Sequence, residues 1–239
     1  MRISRTNSYY NNSMSFQQNK LAKVASQLSM RNFYSNPDSK EFKELRVIYN
    51  KLWKNLDLPQ DLKPRLQYQA MLSDMGFSPS TYTIYVNKHL SPFKMNLRNK
   101  TGKNEANLRH EIEHVKQIWD VVRLLGIEDS VKLFQNSTMT IKITPCFLKK
   151  MKEILSTLEP ISSQSEGGIK AQLYVDAIRN YSNPNKILDP IEETAAYFRY
   201  RNNLLEKKAR EAAKNYQPSI INTIKTMVKE FFNLFFNQN

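Results

Sequence analysis

Two of the chain's three histidines lie four residues apart in the segment HEIEH, at residues 110–114. On an α-helix, residues four apart differ by about 40° around the axis, so His110 and His114 point the same way and can bind one metal ion. Glu111 lies about 100° from His110. A carboxylate there reaches a water molecule on the ion without binding the ion itself. The spacing therefore predicts a metal site with Glu111 as the general base.

The helix that carries these residues is expected from about residue 105 to residue 125 and is expected to end at Gly126. With His110 at 0°, a group of apolar side chains falls between about 120° and 200° around the axis: Leu108, Ile112, Val115, Trp119 and Val122. We therefore expect this face to be buried and the histidines to face a cleft. Gln117, one turn after His114, is a candidate hydrogen-bond partner within the site.

A catalytic zinc site needs a third protein ligand, which this segment does not supply. In the segment DPIEETAAYF, Glu192 would lie on a helix beside Ala195 and Ala196, whose small side chains permit close approach to another helix. Glu192 is the preferred third ligand, Glu193 is the fallback, and His89 is a further alternative. Glu192 could instead be a first-turn carboxylate that interacts favourably with the helix dipole.

Arg199 follows Glu192 by two turns on the same predicted face. It is a candidate for polarising a substrate carbonyl or for holding Glu192, although an exposed surface arginine is the simpler interpretation. His89, if it is not a ligand, could serve the same site from the end of a predicted strand.

Hydrophobic periodicity defines the remaining elements. The segment STYTIYVNKHL predicts a strand at 80–90, which could pair with the alternating segment 92–99 or offer its edge to an extended peptide. A further short strand is predicted at 138–144. Helices are predicted at 40–56, 59–76, 146–158, 168–180, 190–215 and 219–236. Together these elements predict an α+β fold, mainly α, with a small antiparallel sheet packed beside the HExxH helix and additional helices before and after it.

Composition divides the chain into three parts. Residues 1–18 are rich in Asn, Ser and Gln, which predicts a flexible arm. Residues 19–216 are predicted to form the main domain. Residues 217–239 are predicted to form a C-terminal amphipathic helix, whose apolar stripe would pack on a core, a partner or an anionic membrane surface.

The residues "YTIYVNKHL", "LRHEIEHVKQ" and "DPIEETAAYF" together resemble the zincin metallopeptidases of the gluzincin type, similar to small bacterial and phage HExxH proteins. The resemblance covers about residues 80–125 and 188–200. It implies a zinc ion held by His110, His114 and Glu192, with Glu111 as the catalytic carboxylate and a peptide or protein as substrate. The gap between His114 and Glu192 is longer than in compact members, so an inserted helical layer is expected.

The strongly basic composition supports a different class of function. The chain carries a net charge of +14 with a pI near 9.7, which suits a non-enzymatic protein that binds nucleic acid or an anionic membrane surface. The segment YFRYR at 197–201 could stack on bases, but no specific nucleic-acid motif is present. The single cysteine, Cys146, excludes an intrachain disulfide. With no signal peptide or spanning segment recognised, a cytoplasmic location is expected, and export by a signal-independent route is an alternative.

Overall fold

The computed structural model describes residues 38–71, 73–137, 139, 141–181, 198–214 and 224–229. Its helices are α1 (Lys40–Asn55), α2 (Pro92–Lys100), α3 (Lys103–Asn136), α4 (Pro145–Thr157), α5 (Glu166–Arg179) and α6 (Leu204–Lys214). Its strands are β1 (Arg65–Gln69), β2 (Met75–Ser78) and β3 (Thr83–Asn87). The predicted α+β fold, mainly α, with a small sheet is confirmed.

The small sheet is mixed rather than antiparallel. Strand β3 lies in the centre, parallel to β1 and antiparallel to β2. The predicted strand at 80–90 is therefore the central strand, and both of its edges are paired. It has no edge to offer to a peptide, so that expectation is wrong. Among the described strands, the edge left without a strand partner beside α3 belongs to β2.

The predicted helix at 59–76 and the predicted strand at 92–99 are both wrong. Pro64 cannot continue a helix, and after it β1 alternates between exposed and partly buried residues as it pairs with β3. Residues 92–99 form helix α2 instead. Ser91 caps this helix by accepting a hydrogen bond from Lys94 N at 3.2 Å, and Pro92 occupies its first turn. This local start signal outweighs the alternating side chains.

Helix α3 is the central helix of the fold. Helices α2, α4, α5 and α6 and strand β2 all pack against it. The apolar residues predicted to face the core are all buried: Leu108, Ile112, Val115, Trp119 and Val122. The helix kinks at Gly126, where φ is 72° and ψ is −175°. Gly126 thus interrupts regular helical geometry, as predicted, but the chain resumes helical structure and continues to Asn136.

The helices at 146–158 and 168–180 are confirmed as α4 and α5. Residues 141–144 form no strand, because Thr144 instead caps α4 by accepting a hydrogen bond from Phe147 N at 3.1 Å. Residues 138 and 140 of that predicted strand lie outside the described part of the chain.

The predicted helix at 190–215 is not continuous over the residues described. Residues 198–202 are helical, Asn203 bends, and α6 then begins at Leu204. Asn203 Oδ1 accepts a hydrogen bond from Leu205 N at 2.9 Å, and its Nδ2 donates to Ala177 O at 2.8 Å. Asn203 thereby starts a new helix and ties it to the end of α5.

The predicted N-terminal arm lies outside the described residues, as does most of the predicted C-terminal helix. Residues 224–229 of the latter are helical, with Ile224, Met227 and Val228 about half exposed. Among the helices described, none has the length and apolar character needed to cross a bilayer.

Candidate metal centre

His110, His114 and Glu206 converge at the contact between α3 and α6. The two histidine Nε2 atoms are 3.2 Å apart. Each oxygen of Glu206 faces one histidine, with Oε2 at 3.5 Å from His110 Nε2 and Oε1 at 3.5 Å from His114 Nε2. Within the described ranges this is the group of side chains that could hold a metal ion.

The three side chains are close enough to bind one metal ion. Four ligands at about 2.0–2.1 Å from zinc are separated from one another by roughly 3.3–3.5 Å. The two histidine nitrogens, 3.2 Å apart, are close to that separation. The two 3.5 Å contacts with Glu206 use different carboxylate oxygens, and one ligand atom from each of the three residues lies within 4.8 Å of the others. Two imidazole nitrogens and one carboxylate are also a ligand set that zinc accepts, with a fourth position left for water or substrate.

Helix α6 can deliver Glu206 to α3 because the residues beneath it are small. Ala209 and Ala213, three and seven residues after Glu206, are both buried, and Leu205 is 2% exposed. Residues at these spacings lie on one side of the helix, so the two alanines let the α6 backbone approach α3 closely. Glu206 is itself only 4% exposed.

A single glutamine orients ligands on both helices. Gln117 Nε2 donates to Leu205 O at 3.0 Å, which turns its Oε1 towards His114 Nδ1 at 2.9 Å. Since Oε1 only accepts, His114 must carry its proton on Nδ1, and a neutral His114 then offers a lone pair at Nε2. Gln117 therefore sets the tautomer of one ligand and fixes the helix that carries another.

Glu111 is held by the open edge of the sheet. Its Oε2 accepts a hydrogen bond from Phe77 N of β2 at 2.8 Å, and the residue is 7% exposed. In β2 the Phe77 N–H therefore points away from β3 and towards α3. The backbone bond occupies one carboxylate oxygen and limits the rotation of the side chain beside the two histidines.

Burial and charge act in opposite directions on the His110–Glu206 pair. Burial alone lowers the pKa of His110, but the hydrogen bond and charge of Glu206 and the charge of Glu111 raise that pKa above its ordinary value. Burial raises the pKa of Glu206, but the hydrogen bond from His110 and the two histidines bring that pKa below its ordinary value. The carboxylate is therefore kept ionised, which is the form that binds metal.

Two tyrosines close the other side of Glu206. Tyr181 OH lies 3.5 Å from Glu206 Oε1, and Tyr200 is also hydrogen-bonded to that carboxylate. The two rings meet edge to face, with centroids 5.8 Å apart. Burial, and next the charge of Glu206, raise the pKa of both hydroxyls well above the usual value. Both tyrosines therefore remain protonated donors to the carboxylate.

These groups surround a cavity of about 430 Å³ between β2, α3 and α6. Its wall includes residues 73–77 around the open strand edge, the two histidines and Glu206. It also includes Asn107, one turn before His110, whose buried Nδ2 has no hydrogen-bond partner among the described residues. A donor left in this state is costly unless a ligand satisfies it, so the cavity is suited to a polar ligand.

The candidates from sequence have different outcomes. His110, Glu111, His114 and Gln117 lie together, whereas Glu192 and Glu193 are outside the described residues. His89 is exposed, its backbone N–H donates to Asn87 Oδ1, and it does not line the cavity. Arg199 is also exposed and away from the cavity wall. Neither residue is therefore placed to serve this site.

The sequence analysis did not find Glu206. A signal was nevertheless present in the segment LLEKKAREAAK, where Ala209 and Ala213 follow the glutamate at helical spacing. This pattern resembles the alanine-flanked pattern used to select Glu192. The many charged residues around Glu206 in this segment give no sign that its carboxylate is buried.

No protein-family model, curated protein or solved structure matches this chain.

Proposed function

We propose that the protein is a zinc-dependent metallopeptidase that hydrolyses peptide bonds. The observation that carries the proposal is the convergence of His110, His114 and Glu206, with Glu111 beside them and not a member of the ligand group. Three ligands and an adjacent carboxylate that is not a ligand are the components that metal-assisted hydrolysis requires. The resemblance of the HEIEH segment to zincin peptidases supports the same function.

His110, His114 and Glu206 would hold the zinc ion. When bound, zinc supplies Lewis acidity, which lowers the pKa of a water molecule and polarises a substrate carbonyl. Glu111 accepts the proton of the attacking water and delivers it to the leaving amine. Its hydrogen bond with Phe77 N holds the carboxylate in place for both transfers.

The open edge of β2 supports an extended peptide as the substrate. This strand is paired only with β3 among the described strands, and its other edge adjoins the cavity. A peptide beside this edge would place one of its carbonyls towards the three ligands. It would hydrogen-bond to backbone groups other than Phe77 N, which donates to Glu111, and Met75 O, which accepts from Ser73 Oγ at 2.9 Å. Asn107 Nδ2 would supply an additional donor to that backbone.

The testing experiment combines metal content with cleavage. The full-length protein is purified, reconstituted with zinc, analysed by elemental mass spectrometry and incubated with a diverse peptide library. We expect about one zinc per chain and cleavage that a zinc chelator abolishes. A zinc-loaded protein that cleaves no peptide would reject the peptidase. Failure to bind zinc would instead favour the alternative function, a basic protein that binds nucleic acid or an anionic membrane surface.

A further inference from the structure

The cavity contains one strongly basic side chain, Arg210. It is the single lysine or arginine among the described residues of the cavity wall. Arg210 lies four residues after Glu206, so it follows the candidate ligand by about one helical turn, roughly 5–6 Å, on the same side of α6. Its guanidinium is therefore placed beside the metal centre without being part of it.

The acidic side chains around Arg210 each interact with another group. Asp74 in the cavity wall pairs with Arg98 at 2.6 Å. Glu206 faces the histidines, although a glutamate four residues before an arginine is otherwise well placed for an ion pair. Glu111 accepts its hydrogen bond from the sheet edge. Throughout the described part of the chain, no carboxylate forms an ion pair with Arg210.

Within the described ranges the Arg210 guanidinium makes one hydrogen bond, which holds it in position. One of its nitrogens donates to the backbone carbonyl of Arg201, which fixes the side chain against the bend that precedes α6. A guanidinium has five N–H donors in a planar fork, so further donors remain for a ligand. Ala213, which lines the cavity three residues later, leaves space beside the fork.

We propose that Arg210 recognises a carboxylate of the substrate, placed within about two residues of the bond that is cut. A planar fork binds a carboxylate through paired charge-assisted hydrogen bonds. The separation of about one helical turn from Glu206 corresponds to about two residues of extended peptide at roughly 3.3 Å each. The carboxylate is an Asp or Glu side chain or the terminal carboxylate of a peptide. This inference rests on the proposed peptidase and specifies its substrate class.

Peptide pairs provide the first test. Each pair is identical except for one group: Asp against Asn or Glu against Gln near the cleaved bond, or a free against an amidated C-terminus. We expect kcat/KM to favour the carboxylate member by about 10- to 100-fold in the zinc-loaded protein. The pair that shows the preference distinguishes a side-chain carboxylate from a terminal one.

Substitutions at Arg210 test whether this side chain causes the preference for a carboxylate. Arg210→Gln should reduce the ratio to near one while zinc content is unchanged, and Arg210→Lys should retain part of it. Lys207→Gln, which removes an exposed charge from the same helix, is the matched control and should keep the full ratio. An equal ratio in the wild type and Arg210→Gln, or no carboxylate preference in the wild type, would overturn the inference.

A binding test separates this inference from the peptidase itself. The probes are succinic acid monohydroxamate and its terminal amide, which present the same metal-binding group with and without a carboxylate. We expect the zinc-loaded wild type to bind the acid more tightly than the amide, and Arg210→Gln to bind them equally. Tighter binding of the acid without cleavage of any peptide would retain Arg210 recognition and reject the peptidase. Equal binding by the wild type would overturn the inference directly.

Discussion

His114 Nδ1 lies 2.9 Å from Gln117 Oε1, and the same glutamine donates through Nε2 to Leu205 O at 3.0 Å. This arrangement links the histidine on α3 to the residue that immediately precedes Glu206 on α6. The bond to Leu205 is buried and the bond to His114 is partly buried, and Gln117 is itself only 2% exposed. The orientation of one candidate ligand and the position of another thus depend on one side-chain amide.

Replacing Gln117 by Ala should weaken zinc binding. The substitution removes the acceptor that holds the His114 proton on Nδ1 and the donor that fixes α6, so we expect an affinity loss of about 10- to 100-fold. The measurement is competition for zinc against a chelator of known affinity. Gln172→Ala, at an exposed amide on α5, should leave the affinity unchanged. Unaltered zinc affinity in the Gln117 variant would contradict the orienting role.

Removing Glu206 should abolish stoichiometric zinc binding. Elemental analysis should find about one zinc per chain in the wild type and substantially less in Glu206→Ala and His110→Ala, because each variant leaves two ligands. Glu192→Ala tests the third ligand predicted from sequence. We expect it to retain zinc, since Glu206 completes the ligand group within the described structure. Zinc loss in Glu192→Ala but not in Glu206→Ala would reverse this assignment.

Replacing Glu111 by Gln should separate metal binding from turnover. The amide is nearly isosteric but cannot take a proton from water, so we expect zinc to remain and kcat to fall by about 10²- to 10⁴-fold. The measurement is kcat on the best peptide found for the wild type. Glu113→Gln is the matched control, because Glu113 lies on the same helix but pairs with Lys116 at 3.2 Å. Equal activity in Glu111→Gln and the wild type would remove Glu111 from the mechanism.

Replacing Gly126 by Ala should destabilise the protein through the backbone alone. With φ at 72° and ψ at −175°, Gly126 occupies a region that side chains disfavour. Apart from its chain neighbours and the adjacent helix backbone, no described atom lies within 4 Å of an added Cβ. We expect the free energy of unfolding to fall by about 1–3 kcal/mol, measured by urea denaturation. Zinc stoichiometry should be unchanged, because the kink lies three turns beyond His114.

Gly167→Ala is the control for that substitution. Gly167 lies in the first turn of α5, and an added Cβ would make an ordinary contact with Ile161 at 3.6 Å. Because alanine favours helix more than glycine does, this variant should be neutral or more stable by up to about 1 kcal/mol. Equal stability losses in the two variants would contradict the conformational explanation at Gly126.

Local signals predicted most of the helices but not the arrangement of the sheet. The alternating side chains of residues 92–99 suggested a strand, yet the adjacent Ser91–Pro92 start signal produces a helix. Residues 65–69 were predicted as helical, but pairing with β3 makes them a strand. Such pairing depends on partners distant in the chain, whose contribution short-range periodicity does not contain.

The sequence by itself determined that His110 and His114 share one side of a helix, with Glu111 on the flank and an apolar face opposite. This follows from helical geometry, which depends only on spacing along the chain. Only the tertiary structure decided which carboxylate joins them and which backbone holds Glu111. Glu206 is 92 residues beyond His114 and Phe77 is 34 residues before Glu111. Contacts at such separations arise from the packing of α6 and β2 on α3, where small alanines and an open strand edge permit close approach.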